Sequence, residues 1–98
     1  MGLTIRFDIR ALADLAEIRD YLVERSPSGA ELVRIHLVDT IERLADFPFL
    51  GRSTDEPEVR VMPLTRYPYL VFYTVLDDEV VILHVRHGAR EPFDPSTL

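Results

Sequence analysis

Apolar residues recur along this chain with two different periods, and each change of period marks a new element. Leu3-Thr4-Ile5-Arg6-Phe7-Asp8 alternates, which predicts a half-buried strand with Leu3, Ile5 and Phe7 inward. From Ala11 to Arg25 the spacing is helical: Ala11, Leu15, Ile18 and Leu22 form a stripe, widened by Leu12 and Tyr21. Asp14, Glu17, Asp20 and Glu24 read as the wet side of that helix. Ser26-Pro27 then breaks the pattern, because proline cannot continue a helix but fits the first turn of the next, with serine as its cap. A second helix is predicted from about Ser28 to Asp46, with Val33, Leu37, Ile41, Leu44 and Ala45 inward. Phe47-Pro48-Phe49-Leu50-Gly51-Arg52 stops it, Pro48 and Gly51 shaping the exit, and a polar loop runs from Ser53 to Pro57.

The remainder has period two. Glu58 to Met62, Tyr69 to Val75 and Val80 to Arg86 predict three strands in a meander. If the last turn closes symmetrically on Asp77-Asp78, Leu70 faces Val85, Phe72 faces Leu83 and Thr74 faces Val81 on a core side. The opposite side then pairs Tyr69 with Arg86, Val71 with His84 and Tyr73 with Ile82. A strand, two helices and three strands predict an α+β fold of two layers. A helical hairpin covers one face of an antiparallel sheet in the order β-α-α-β-β-β. The uncovered face is expected to collect Arg6, Arg60, Tyr69, Tyr73, His84 and Arg86.

Composition bounds the function. The 98 residues make one domain, 1–98, with an extended tail over 91–98 that carries Pro92 and Pro95. The absence of cysteine excludes disulfides, thiolate metal sites and cysteine nucleophiles. No apolar run is long enough to span a membrane and no leader is evident, so a cytoplasmic protein is expected. The net charge of −6 argues against direct nucleic-acid binding. Yet between Val59 and Arg90 the acids are confined to Asp77, Asp78 and Glu79, while Arg60, Arg66, Arg86 and Arg90 lie in the same stretch. All the basic residues are arginine, the better bidentate partner for carboxylates. His36 and His84 lack the spacing of a metal motif, and no cofactor is expected.

The order of these features resembles the RelE/ParE superfamily of toxins from type II toxin–antitoxin modules, most closely the ParE branch. The resemblance spans nearly the whole chain. It rests on Asp14-Leu15, Ile18 and Tyr21-Leu22, then Ser26-Pro27, Ile41 and Leu44 ahead of Phe47-Pro48, and Gly51-Arg52. It continues through Val59-Arg60, Pro68-Tyr69, Tyr73, Ile82 and Val85 to His87-Gly88-Ala89-Arg90. It implies a helical hairpin on a sheet, a ParD-like antitoxin that binds the toxin in a hetero-oligomer, and growth arrest through DNA gyrase. RelE-like relatives instead imply ribosome-dependent mRNA cleavage, and a module that binds antitoxin without toxicity is a third reading. The acidic balance, the lack of lysine and a tail without tyrosine favour the gyrase reading.

Candidate surface residues, for target or antitoxin, are Arg6, Arg60, Arg66, Tyr69, Tyr73, His84, Arg86, His87 and Arg90. The plainer alternatives are Arg86 stacked on Tyr69, Gly88 permitting a turn, Arg90 paired with Glu91, and exposed charges at Arg60 and Arg66. No residue is assigned a catalytic role.

Overall fold

A computed structural model describes residues 2–88, so Arg90 and the tail expected at 91–98 lie outside the described residues. Strand β1 (Thr4–Phe7) leads into helix α1 (Ile9–Arg25) and helix α2 (Pro27–Asp46). Strands β2 (Arg52–Ser53), β3 (Arg60–Pro63), β4 (Tyr69–Leu76) and β5 (Glu79–His87) follow.

Asp8 caps α1: its backbone is extended and its carboxylate accepts the Arg10 N–H at 2.9 Å. The Arg10 guanidinium also bonds that carboxylate, and this bond is the main reason the Asp8 pKa falls to about 2. A carboxyl more acidic when folded adds stability above its unfolded pKa and loses it as pH falls through the folded value. We therefore expect the Asp8 contribution to be complete above about pH 4 and to vanish toward about pH 2. Thermal melts of the wild type and Asp8→Asn should converge over that window.

Ser26 serves both helices. Its N–H closes α1 on the Leu22 carbonyl at 2.7 Å, and its hydroxyl accepts the Gly29 N–H at 3.1 Å to start α2. With Pro27 at the first helical position, one residue separates the helices, as the sequence predicts.

The sheet runs β1-β5-β4-β3-β2. It is mixed where an antiparallel sheet was expected, because β1 lies parallel to β5, Thr4 opposite Glu79 and Phe7 opposite Ile82. The short β2 pairs with β3 where the sequence reads as the end of the helix exit and the start of a polar loop.

The hairpin β4–β5 carries the largest departure. Thr74 pairs with Val81 and Tyr73 with Ile82, as a symmetric turn requires. A bulge then inserts Leu83, so Phe72 pairs with His84, Val71 with Val85, Leu70 with Arg86 and Tyr69 with His87.

Both helices pack on one face. Ala11, Val33, Leu37, Ile41 and Leu44 meet Leu64, Tyr69, Val71, Tyr73, Val80, Ile82 and Val85 in one cluster. The reverse face carries a second apolar cluster of Val59, Val61 and Phe72, with Leu70 and Leu83 against it. The faces of the hairpin are thus exchanged relative to expectation for the tyrosines. Phenol rings bury large apolar areas, and here they belong to the core. No helix among the described residues is long and apolar enough to cross a membrane.

Candidate interaction surface

The expected surface of arginine, histidine and tyrosine on the reverse face does not assemble. Tyr73 is fully buried: its hydroxyl accepts the Gly51 N–H at 2.9 Å and donates to the Pro48 carbonyl at 2.8 Å. Burial raises the pKa of that phenol, outweighing the Gly51 bond and the nearby Arg60 charge that act the other way. Tyr69 is buried as well, its ring edge-on to His87 at 5.3 Å.

Arg60 lies opposite Tyr73 and so on the helix side of the sheet, beyond the reach of the helices. Its guanidinium donates to the Gly51 carbonyl at 2.6 Å and lies 4.9 Å from the Phe49 ring centre. Arg6 is exposed and pairs with Glu79 at 3.2 Å. Arg66 is exposed in the β3–β4 connection.

His84 and Arg86 are drawn to one acid. Asp14, read from the sequence as solvated, is buried on α1 at 7% exposure. The pairing of β1 with β5 ends at Phe7 and Ile82, which leaves the next stretch of the β5 edge to α1. There the Asp14 carboxylate accepts the Val85 N–H at 3.0 Å and meets His84 Nδ1 at 2.7 Å, with an Arg86 nitrogen at 3.7 Å. A carboxylate only accepts, so Nδ1 is the donor in that contact. Asp14 therefore substitutes for a missing strand carbonyl and ties α1 to the sheet.

An apolar surface does lie between the helices. A groove of about 530 Å³ is lined on α1 by Leu15, Ile18, Leu22 and Val23, and on α2 by Val33, Leu37, Val38 and Ile41. Val23 and Val38 stay 46% and 41% exposed, more than a solvated helix face needs to show. Arg19 and Arg34 mark its rim, paired with Asp20 and Glu31. The sequence leads one to expect an antitoxin arm that adds apolar contacts along the helices and a strand or salt bridges at the sheet edge, but not this groove, although Val23, Leu32, Ile35 and Val38 widen the apolar arcs beyond one stripe.

Known proteins share this sequence pattern and fold. The profile of the ParE toxin of the type II toxin–antitoxin system parDE matches residues 5–92. The chain is 40% identical over 83 residues to Toxin RelE2 of Caulobacter vibrioides, covering 83% of this chain and 90% of the relative. It is 32% identical to the putative toxin Y4kP of Sinorhizobium fredii, covering 89% and 90%. Among solved structures, a chain of the chromosomal ParDE system from P. aeruginosa superposes with a TM-score of 0.78 at 26% identity, over 88% of this chain and 96% of that one. A chain of the intact E. coli RelBE toxin–antitoxin complex has the same fold, with a TM-score of 0.61 at 19% identity over 91% and 100%. This chain belongs to the ParE toxin family within the RelE/ParE superfamily of type II toxin–antitoxin toxins.

Proposed function

We propose that this chain arrests growth by inhibiting DNA gyrase and is held inactive by a ParD-like antitoxin whose amphipathic helical arm fills the groove between α1 and α2. The observation that carries the antitoxin contact is the groove itself, an apolar trough with exposed Val23 and Val38 on its walls and charged side chains at its rim. Such a trough suits a helix that presents apolar residues at spacings of three and four. The ParDE and RelBE neighbours are toxin–antitoxin assemblies, which supports a partner of that kind.

Gyrase is favoured over RNA because, among the described residues, the tyrosines and histidines expected on the sheet surface are committed elsewhere. Tyr69 and Tyr73 are in the core, His84 is bonded to Asp14 and the His87 ring packs on Tyr69. Inducing the chain alone should stop growth, and co-expressing the neighbouring reading frame should restore it. Purified protein should inhibit gyrase supercoiling, whereas normal supercoiling at micromolar excess would remove the gyrase target. The relative named RelE2 keeps a second reading in play, a ribosome-dependent mRNA nuclease. Codon-positioned cuts on primer extension would favour that reading, and intact transcripts would reject it.

A further inference from the structure

The connection between α2 and β2 presents three large apolar side chains within four residues. Phe47, Phe49 and Leu50 are 64%, 66% and 45% exposed. Connecting segments are usually the more mobile parts of a fold, but here the backbone is fixed. The Leu50 N–H bonds the Phe47 carbonyl, the buried Tyr73 hydroxyl clasps Pro48 and Gly51, and Arg60 holds the Gly51 carbonyl. A Cβ on Gly51 would meet the Tyr73 hydroxyl at 2.7 Å and the Val61 carbonyl at 2.8 Å, so the clasp has no slack.

The charges around the loop are equally distinctive. Arg6, Arg10, Arg19, Arg25, Arg34 and Arg86 each face a carboxylate. Arg43 in the last turn of α2, Arg52 after Gly51 and Arg60 beneath Phe49 form no ion pair among the described residues. The acid nearest the loop in sequence, Asp46, lies against Gly2. Arg66, in the β3–β4 connection, is likewise without an ion pair among the described residues, but Arg43, Arg52 and Arg60 are the three that flank or touch the rigid aromatic projection.

We propose that this loop is the surface through which the chain engages its target, and that it takes a protein surface with an apolar pocket ringed by carboxylates. The inference rests on the toxin reading. Charge complementarity selects the partner, because Arg43, Arg52 and Arg60 have no ion pair among the described residues and carboxylates on a partner would supply one. Preorganisation supplies the rest, since a projection already held in place loses little conformational freedom on docking. Aromatic and arginine side chains clustered together are also the usual anchors of protein contacts. Stacking on a nucleic acid is disfavoured by the net charge of −6. The loop follows the C-terminus of α2, whereas the groove is lined no further along that helix than Ile41, so target and antitoxin would use different surfaces.

The test compares growth arrest on induction of the wild type, Phe47→Ala/Phe49→Ala and Arg52→Glu, with antitoxin affinity and melting temperature measured in parallel. Arg52 is exposed and outside the clasp, so its reversal leaves the fold intact. Both variants should raise viable counts after induction by about 100-fold while binding antitoxin within about threefold of the wild type. Arrest as strong as the wild type in both would overturn the proposal. Loss of antitoxin affinity alongside arrest would overturn it too, placing the loop under the antitoxin. Loss of arrest with the charge reversal alone would point to a phosphate backbone as the partner, and the proposed protein pocket would fall. A wild-type chain that does not arrest growth would remove the toxin reading itself, and this inference with it.

Discussion

Asp14→Ala should destabilise the fold by about 3 kcal/mol, because it leaves a backbone N–H and an imidazole N–H without their acceptor at a largely buried site. Two of the Asp14 contacts are short, to the Val85 N–H at 3.0 Å and to His84 Nδ1 at 2.7 Å. The third, to Arg86 at 3.7 Å, is longer and reaches a side chain about one-third exposed, so little of the loss is assigned to it. For a domain of this size such a change lowers the melting temperature by more than about 12 °C. Asp14→Asn keeps an acceptor for the Val85 N–H and should lose roughly half as much. Urea unfolding of the three proteins would measure this. A loss under about 1 kcal/mol for the alanine variant would mean that the β5 edge does not depend on α1 at this point.

Tyr73→Phe should cost about 2 kcal/mol for a single oxygen atom. The ring stays in place, yet the Gly51 N–H and the Pro48 carbonyl each lose their partner at the base of the loop. Replacing Gly51 with alanine should cost a comparable amount by a different route, since the added methyl collides with the same hydroxyl and with the Val61 carbonyl. The two effects should not add, because both substitutions break one clasp. The phenol titrates above its ordinary range, so its protonated form is the one the fold prefers. That contribution is intact below the ordinary tyrosine pKa and is lost as pH rises through the folded value. Alkaline unfolding should therefore come earlier in the wild type relative to Tyr73→Phe than the neutral-pH difference implies.

The helices were legible because their signals are local. Ser26-Pro27 sets the break between them, and Asp46-Phe47 the end of the second. The faces of the hairpin were not: Tyr73 and Ile82 pair as expected, yet theirs is the face that the helices cover, and the bulge at Leu83 then reverses the sides expected for His84, Val85 and Arg86 on β5. Thr74 and Val81, near the turn, pair as expected, while Tyr69 and Arg86, beyond the bulge, do not. Nothing in the sequence of β5 distinguishes an inserted leucine from a paired one.

Asp14 is a different kind of miss. It lies three residues after Ala11 and four before Ile18, so the helical period already places it on the buried stripe. Its chemistry, taken alone, pointed outward. An acid on an apolar stripe signals a buried partner, and the partner was the unpaired edge of β5. Tyr69 and Tyr73 were misplaced for the mirror reason, their hydroxyls having been given more weight than their rings. What remains of the expected surface is Arg6 and Arg66 exposed at separate places, and Arg60 turned to the loop.

The proposed function puts the antitoxin on the helices and not on the reverse of the sheet, and the affinity of purified Val23→Glu/Val38→Glu for the antitoxin tests that proposal most directly. Both side chains are already partly in water, so the variant should fold like the wild type. Carboxylates on the groove walls should weaken binding by about 100-fold or more. Wild-type affinity in a correctly folded variant would show that the arm binds elsewhere, and the groove would lose its assigned role.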